Sequence, residues 1–556
     1  MMEGEGQNGE RLELWREELS MGKYLNSKVP FEAYKEVAGT RFFVDKSMLI
    51  EDMLNAVELD GQKYLCITRP RRFGKSVMAN MIAAFFEKTV DAGSVFGRMQ
   101  IARSKVYSAH VNQHLVIYID FSEVPEKCGS YDEYISRILE NLKQDLLEEF
   151  PETFADQRMS VWDILTNVFQ RTEKKFIFVI DEWDAIFHMP FITLEDQKAY
   201  LLFLKALLKD KAYVKFVYMT GVLPIAKYSS GSELNMFVEY DMTVMERFSS
   251  CFGFTEDEVD CLFEIYENTT KAPKITREGL QMWYDGYHTA SGEKLYNPRS
   301  VVCALANNQL ANYWTSSGPF DEIFFYVKNN IENIRDDLVL MIAGEGVEAE
   351  IQNYAAVSME LKTKDEIYSA MVIYGLLTYM DGKAYIPNKE LMDKFQELLM
   401  NKESMGYVYR LANESRKMLA ATLRGDTDVM AEILEFAHNT ESPIFSYNSE
   451  AELSAVVNLV YLAARDKYRV EREDKAGKGY VDFIFYPERK NEDAMILELK
   501  VGSTPEEAIR QIKDKHYALK FKGKFGEKPQ YAGRILMVGI SYDKISKKHF
   551  CKVEVL

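Results

Sequence analysis

Tyr64-Leu-Cys-Ile-Thr-Arg-Pro-Arg-Arg-Phe-Gly-Lys-Ser-Val-Met-Ala-Asn-Met-Ile-Ala-Ala-Phe-Phe86 decides the fold. A short apolar run, Tyr64–Thr68, has strand length; a tight polar loop follows, then an apolar segment of helix length. The loop closes on Gly74-Lys75-Ser76, the second half of the phosphate-loop pattern G-x-x-x-x-G-K-[ST]. Arg69 stands where the first Gly of that pattern belongs. The chemistry holds without it. Gly74 lets backbone N–H groups turn inward around an anion. Lys75 reaches β- and γ-phosphates, Ser76 offers a hydroxyl to Mg²⁺, and the helix that follows aims its positive end at the same place. Arg69, Arg71 and Arg72 add positive charge where phosphates would sit. The plainer alternative is a Lys-Ser helix start without a ligand; the strand–loop–helix context favours the phosphate reading.

Working outward, residues 60–255 alternate strand and helix. The candidate strands are Tyr64–Thr68, Leu115–Phe121, Phe176–Asp181 and Val214–Thr220, with helical stretches such as Tyr131–Glu149 and Glu195–Lys209 between them. Continuous apolar strands alternating with helices predict a parallel sheet covered on both faces. Phe176-Ile-Phe-Val-Ile-Asp-Glu-Trp-Asp184 runs five apolar residues into Asp181-Glu182. Ligands of such sheets sit outside the carboxyl ends of the strands. Asp181 is therefore placed to hold Mg²⁺ beside Ser76, and Glu182 to polarise the water that attacks the γ-phosphate. Thr220, at the end of the fourth strand, is a candidate γ-phosphate sensor. It suits that role if its strand lies between those of the phosphate loop and Asp181-Glu182; an ordinary strand-end Thr is the alternative. Phe42-Phe-Val-Asp-Lys46 and a helix over Ser47–Ala56 precede the loop and are candidates to cover a nucleotide base, with a plain structural layer as the equal alternative.

The chain has 556 residues, enough for about three or four domains. Hydrophobic residues make up 47% and aromatics 13%, ample for buried cores. The net charge of −18 argues against a general coating of nucleic-acid affinity, though a local basic groove is compatible with it. The six cysteines form no C-x-x-C pair, the usage of a reduced intracellular protein rather than a disulfide framework or zinc ribbon. The polar, acidic start lacks the basic-then-apolar order of a signal peptide, and the longest apolar run, near Ala370–Met380, is too short to span a bilayer. The expectation is a soluble cytoplasmic protein without membrane contact.

Arg69-Pro-Arg-Arg-Phe-Gly-Lys-Ser76, Val179-Ile-Asp-Glu-Trp-Asp184, Phe252-Gly-Phe-Thr-Glu-Asp-Glu-Val259, Trp283-Tyr-Asp-Gly-Tyr287 and Tyr296-Asn-Pro298 together resemble the AAA-ATPase-like proteins, bacterial proteins with a C-terminal PD-(D/E)XK nuclease domain. The resemblance runs roughly from 30 to the end and is weakest between 320 and 440. It implies an α/β P-loop NTPase with helices on both faces of a parallel sheet, a mostly helical middle, and a restriction-endonuclease-like α/β domain. The corresponding segments are a lead over 1–29, the ATPase over 30–254, a lid or winged-helix-like region over 255–345, a helical connector over 346–442 and the nuclease-like domain over 443–556. Thr255 reads as a helix cap followed by first-turn acids. The aromatics of 283–298 read as a small core ahead of ligand contacts. Arg247 and Arg299 are candidate trans-acting arginines.

The second chemical centre lies after 443. Gly479–Tyr486 and Ala494–Lys500 read as two strands joined by a polar turn. A hairpin centred near 490–491 sets residue 482 opposite roughly 499, so Asp482 can share a face with Glu498 and Lys500. Two carboxylates buried together are costly unless a cation joins them, and oxygen ligands suit Mg²⁺ or Mn²⁺. Lys500 can orient water or steady a pentavalent phosphate. D…E-x-K is the signature of the PD-(D/E)XK fold. That resemblance implies a further acid from the preceding helix, Glu450 or alternatively Glu452, and a Gln from the following helix, Gln511. Thr504, Pro505, Glu506 and Glu507 mark the start of that following helix. Arg510, Lys513, Lys515, Lys520, Lys522 and Lys524, interleaved with Tyr517 and Phe521, suit a phosphate backbone and exposed bases, with a solvated surface as the plain alternative. The whole reads as an ATP-binding and hydrolysing protein fused to a Mg²⁺-dependent nuclease. DNA is placed ahead of RNA as substrate, and a homo-oligomer is admitted. The alternative is a nucleotide switch whose C-terminal fold only grips nucleic acid or a partner.

Overall fold

The computed structural model describes residues 22–153, 159–225, 233–245, 247–314, 331–342, 344–351, 363–401, 407–438, 450–476, 479–487, 489, 491–517, 521 and 533–556. Residues 1–21 of the expected lead lie outside the described residues, as do Lys520, Lys522 and Lys524. Two compact units emerge. The first takes the chain to Ile323 together with Glu348–Glu390; the second takes Phe324–Val347 and Leu391–Leu556. The 346–442 stretch is thus divided between them.

In the first unit, β1 (Tyr64–Thr68), β2 (Leu115–Asp120), β3 (Phe176–Asp181), β4 (Val214–Gly221) and β5 (Val238–Tyr240) form one sheet in the order β2-β3-β4-β1-β5. Every pairing is parallel. The four expected strands and the two expected helices, observed as Tyr131–Glu149 and Leu194–Leu208, are all present. The short edge strand β5 gave no sequence signal, since three residues are too few to show a period.

Alternation along the strands explains both layers. Phe178 and Ile180 join Ile117, Ile119, Val217 and Met219 on one face, under the helices Tyr131–Glu149, Val161–Thr172 and Leu194–Leu208. Ile177 and Val179 join Leu65, Ile67, Phe216 and Tyr218 on the other, under the helices Leu49–Glu58 and Lys75–Phe86. Each fully buried large apolar side chain contributes roughly 1.5–3 kcal/mol, so slipping a strand by one residue would forfeit a whole row. Side-chain caps fix where the helices begin: Ser130 accepts from Glu133 N, and Thr193 and Asp196 form a reciprocal capping box.

The helices Glu256–Thr269, Arg277–Tyr284 and Pro298–Asn307 close around a separate core. Thr255 caps the first with Glu258 as its partner, as read from the sequence. Tyr284, Tyr287 and Tyr296 are fully buried, which bears out the packing reading of the aromatic motif. Gly286 adopts φ +102°, and a Cβ there would stand 2.0 Å from the Pro387 carbonyl oxygen. Small strands β6 (Tyr287–His288) and β7 (Lys294–Leu295) pair here. β8 (Val347–Glu348), β9 (Thr378–Met380) and β10 (Lys383–Tyr385) form a three-stranded sheet.

The second unit carries β11 (Tyr468–Ala476), β12 (Gly479–Pro487), β13 (Ala494–Val501), β14 (Ile535–Asp543) and β15 (Lys548–Val555), in sequential order. All neighbours are antiparallel except β13 and β14, which are parallel and joined through the helix Pro505–Asp514. The helix Glu450–Val460 precedes the sheet. All six cysteines are unpaired, and no helix among the described residues is long and apolar enough to cross a membrane.

Candidate functional site

The turn after β1 has the backbone the phosphate reading requires. Gly74 takes φ +86°, and a Cβ there would meet nothing within 4 Å, so it is the torsion rather than space that selects glycine. Lys75 is the first residue of its helix and only 4% exposed; its Nζ donates to Pro70 O at 3.3 Å and lies 3.8 Å from Glu182 Oε1. Asp181 ends β3 at 1% exposure. Its Oδ1 accepts from Glu182 N at 3.0 Å, and its buried Oδ2 has no hydrogen bond of ordinary geometry among the described residues. Burial, then the charge of Glu182, pushes the Asp181 carboxyl up to about 7, with Ser76 and Lys75 pulling the other way. Glu182 sits at φ +48°, a left-handed conformation that turns the chain sharply at the strand end.

A cavity of about 460 Å³ opens at this turn, lined by Gly74, Lys75, Ser76, Glu182, Arg72 and Arg299 among others. Its size suits a nucleotide. Phe42 and Phe43 line it too, so the segment before β1 does reach the cavity. An orphaned carboxylate oxygen, a neighbouring hydroxyl and a mostly buried ammonium fit Mg²⁺ bound to a triphosphate, since Mg²⁺ keeps water and phosphate oxygens in its shell.

In the second unit, β12 and β13 pair Phe483 with Leu497, Ile484 with Ile496 and Phe485 with Met495. Continued by one residue, this register sets position 482 opposite 498, not the 499 expected from a hairpin centred nearer 491. Directly opposed residues share a face, so the correction brings the two carboxylates together. Asp482 Oδ2 accepts from Leu499 N at 2.7 Å. Glu498, 2% exposed, accepts on Oε1 from Lys500 Nζ at 3.2 Å and from Gln511 Nε2; its Oε2 is buried without a hydrogen bond. Burial, then the charge of Asp482, pushes Glu498 up to about 7 against the pull of Lys500. Asp482, Glu498, Lys500 and Gln511 therefore converge as expected. Among the described residues no three His, Cys, Asp or Glu side chains cluster to hold a metal alone. A divalent ion on Asp482 and Glu498 would complete its shell from water and substrate oxygens. Glu450 opens its helix as expected; its side chain, like that of Glu452, lies outside the described residues.

Residues 31–230 match the family described as Predicted AAA-ATPase, and residues 450–547 match the PD-(D/E)XK nuclease superfamily. Both matches fall within one polypeptide. An uncharacterised protein from the vnfD 5′ region of Azotobacter chroococcum mcd 1 is 26% identical over 285 residues, 50% of this chain and 51% of that protein. The chain thus matches about half the length of this curated relative. Among solved structures, a Walker-type ATPase of Pyrococcus abyssi shares 13% identity over 64% of this chain and 96% of its own, with a TM-score of 0.35. The ORC2 protein of Aeropyrum pernix, in ADPNP–ADP complexes, shares 12% over 64% and 94%, with a TM-score of 0.29. Overlaps this loose carry no argument; the strand order and the family matches do.

Within the ATPase-like module, some expected residues serve elsewhere. Arg69, at 1% exposure, donates to Thr68 O at 2.7 Å, Tyr240 O at 2.9 Å and Ser249 Oγ at 3.1 Å, and lies over the Phe252 ring. It ties β1 to β5 and does not face the phosphate turn, which corrects its expected role. Thr220 is also corrected. β4 does lie between β1 and β3, but Thr220 is fully buried and its hydroxyl donates to Ile67 O at 2.9 Å. Arg71 is half-buried and does not line the cavity. Arg72 lines it while donating to the Tyr313 carbonyl. Arg247 pairs with Asp60 at 2.6 Å, whereas Arg299 lines the cavity of its own chain, a position in cis rather than in trans.

Two carboxylates went unread. Asp184 is fully buried in the V-I-D-E-W-D run and accepts from Val222 N and Leu223 N, the latter at 2.8 Å, locking the chain after β4. Its signal was present in a motif read only for its first two acids. Glu390, 1% exposed, accepts from Ser300 Oγ at 2.9 Å and from Tyr313 N and Trp314 N at 2.6 Å each, fixing the segment that holds Arg72. Its partners lie 76 to 90 residues away, beyond the reach of local pattern. In the nuclease-superfamily module, Tyr517 and Phe521 are core residues at 1% and 3% exposure, not stacking platforms for bases. Arg510 pairs with Glu507 and Lys513 with Glu554, which spends part of the expected basic surface.

Proposed function

We propose that this protein binds and hydrolyses ATP in its first unit and cleaves phosphodiester bonds of nucleic acid, DNA ahead of RNA, in its second. It would work as a reduced intracellular protein. The observation that carries the reading is the Glu498 carboxylate. One oxygen is held by Lys500 and Gln511; the other is buried without a hydrogen bond of ordinary geometry, with the Asp482 carboxylate near enough to repel it. Such an arrangement is costly without a cation and well suited to one. Mg²⁺, or Mn²⁺ at the second site, supplies Lewis acidity when bound.

Chain residues do the rest. Lys75 exchanges its contacts with Pro70 O and Glu182 for phosphate oxygens. That frees Glu182 to accept the proton of an attacking water. Ser76 and the ionised Asp181 orient the cation side of the triphosphate, and Arg299 adds charge from the same chain. In the second unit, Asp482 and Glu498 are the residues that would hold the divalent ion, Lys500 steadies developing negative charge, and Gln511 fixes the Glu498 rotamer.

One observation favours the switch reading. The position of the first loop Gly is taken by Arg69, which is committed to the sheet, a change compatible with nucleotide binding without turnover. Plasmid cleavage by the purified protein, with Mg²⁺ or Mn²⁺ and with or without ATP, separates the two. Nicking abolished by Asp482→Ala and by Lys500→Ala supports the nuclease. Equal inertness of wild type and variants on DNA and RNA supports the switch.

A further inference from the structure

In a parallel sheet every strand starts at the same end. Lys63 precedes β1, His114 precedes β2, Lys174 and Lys175 precede β3, and Lys215 is the second residue of β4. The topology therefore collects five basic residues at the sheet end opposite the Gly74–Ser76 turn. Four of them, with Lys88 and Glu173, line a cavity of about 420 Å³.

The charge around this cavity is lopsided. Glu173 is its one lining carboxylate among the described residues. Lys88 is engaged by Glu149; Lys63 donates to Lys211 O at 3.0 Å and lies near Asp210; Glu58 stands 3.8 Å from His110 Nε2. That leaves Lys174, Lys175 and Lys215. Lys215 Nζ is 3.3 and 3.4 Å from the two ring nitrogens of His114, whose ring stacks on His110. Lys174 and Lys175 lie over the rings of Phe150 and Phe169. Burial, Lys215 and His110 push His114 down to about 3, so its imidazole stays neutral, with Nε2 3.1 Å from His110 Nδ1 and Nδ1 beside the Lys215 ammonium. Burial, with Lys175 adding repulsion, lowers both Lys63 and Lys215, against the opposing pull of Asp210 on the first and Glu58 on the second. Like charges pressed together in a concave site are relieved by a multivalent anion.

We propose that this cavity is a second anion site, built for a phosphate group of a small phosphate compound or of a nucleic-acid backbone and separate from the triphosphate cradle. Lys215 and His114 form its floor, and Lys174 and Lys175 its rim. The site stands on its own geometry and does not depend on either proposed activity.

The test is calorimetric titration with inorganic pyrophosphate in a Lys75→Ala background, which weakens the cradle. Binding should persist there. Adding Lys174→Glu and Lys175→Glu, both exposed positions, should weaken it by ~100-fold, from loss of charge-assisted bonds. Lys215→Met should weaken it by ~10-fold. Circular dichroism confirms that the variants fold. Pyrophosphate binding that a short DNA oligonucleotide displaces assigns the phosphate to a backbone; binding that the oligonucleotide leaves intact assigns it to a small compound. Loss of all pyrophosphate binding in Lys75→Ala alone, or indifference to the charge reversals, overturns the proposal.

Discussion

Lys75 Nζ lies 3.8 Å from Glu182 Oε1 and 3.3 Å from Pro70 O, so the ammonium that would meet phosphate and the carboxylate that would meet water neutralise one another. Glu182→Gln removes the proton acceptor but leaves the cradle. ATP turnover should fall by ~10²–10⁴-fold while nucleotide affinity is kept. Lys75→Ala should weaken affinity itself. Phosphate release and nucleotide titration read the two effects; unchanged turnover in both variants would refute the assignment.

The Glu498 carboxyl, raised from 4.5 to about 7, sets a pH dependence. The folded state holds this proton more tightly than the unfolded chain. Its favourable contribution is complete below 4.5 and is lost as pH rises to about 7. Denaturant midpoints in chelator should therefore fall across that window more steeply for wild type than for Glu498→Gln. Mg²⁺ should restore the wild-type midpoint at the upper end. Parallel pH profiles for the two proteins would count against the buried-carboxylate account.

Arg69 gives a contrast between structure and ligand binding. Arg69→Ala leaves the carbonyls of Thr68 and Tyr240 without their donor and opens a cavity. Stability should drop by ~3 kcal/mol, while the folded fraction still binds nucleotide. A variant of wild-type stability that has lost ATP affinity would return Arg69 to the phosphate site.

Gly286→Ala places a methyl group 2.0 Å from the Pro387 carbonyl oxygen at a left-handed torsion. Thermal unfolding should show a loss of ~1–3 kcal/mol. A melting curve identical to wild type would mean that the two segments do not meet.

The sequence carried the central machinery because its signals are local. Gly74-Lys75-Ser76 follows a strand, Asp181-Glu182 ends another, and Asp482, Glu498 and Lys500 sit on two strands one turn apart. Spacing and alternation suffice for such features. Arg69 and Thr220 misled because strand-end polarity says nothing about which neighbour claims a side chain; Tyr240, Ser249 and Ile67 did so. The Asp482 partner was misplaced by one residue because the turn length, not the strand pattern, sets register. Tyr517 and Phe521 looked like exposed aromatics because their lysine neighbours are polar, yet beyond the helix Pro505–Asp514 both join the core of Val481, Tyr486 and Ile512.

The insertion of β4 between β1 and β3 has a consequence for how the molecule is made. Lys75 and Asp181 are both synthesised before residue 214, yet nothing spaces them until Val214–Gly221 slots in between. Two strand intervals, roughly 10 Å, must be filled by this strand before the two halves are held apart at the right spacing. A nascent chain that stops short of this strand holds both halves of the grip on ATP and cannot close it, so competence to bind would arrive only after this strand, and the later cavity walls up to Cys303, have been made.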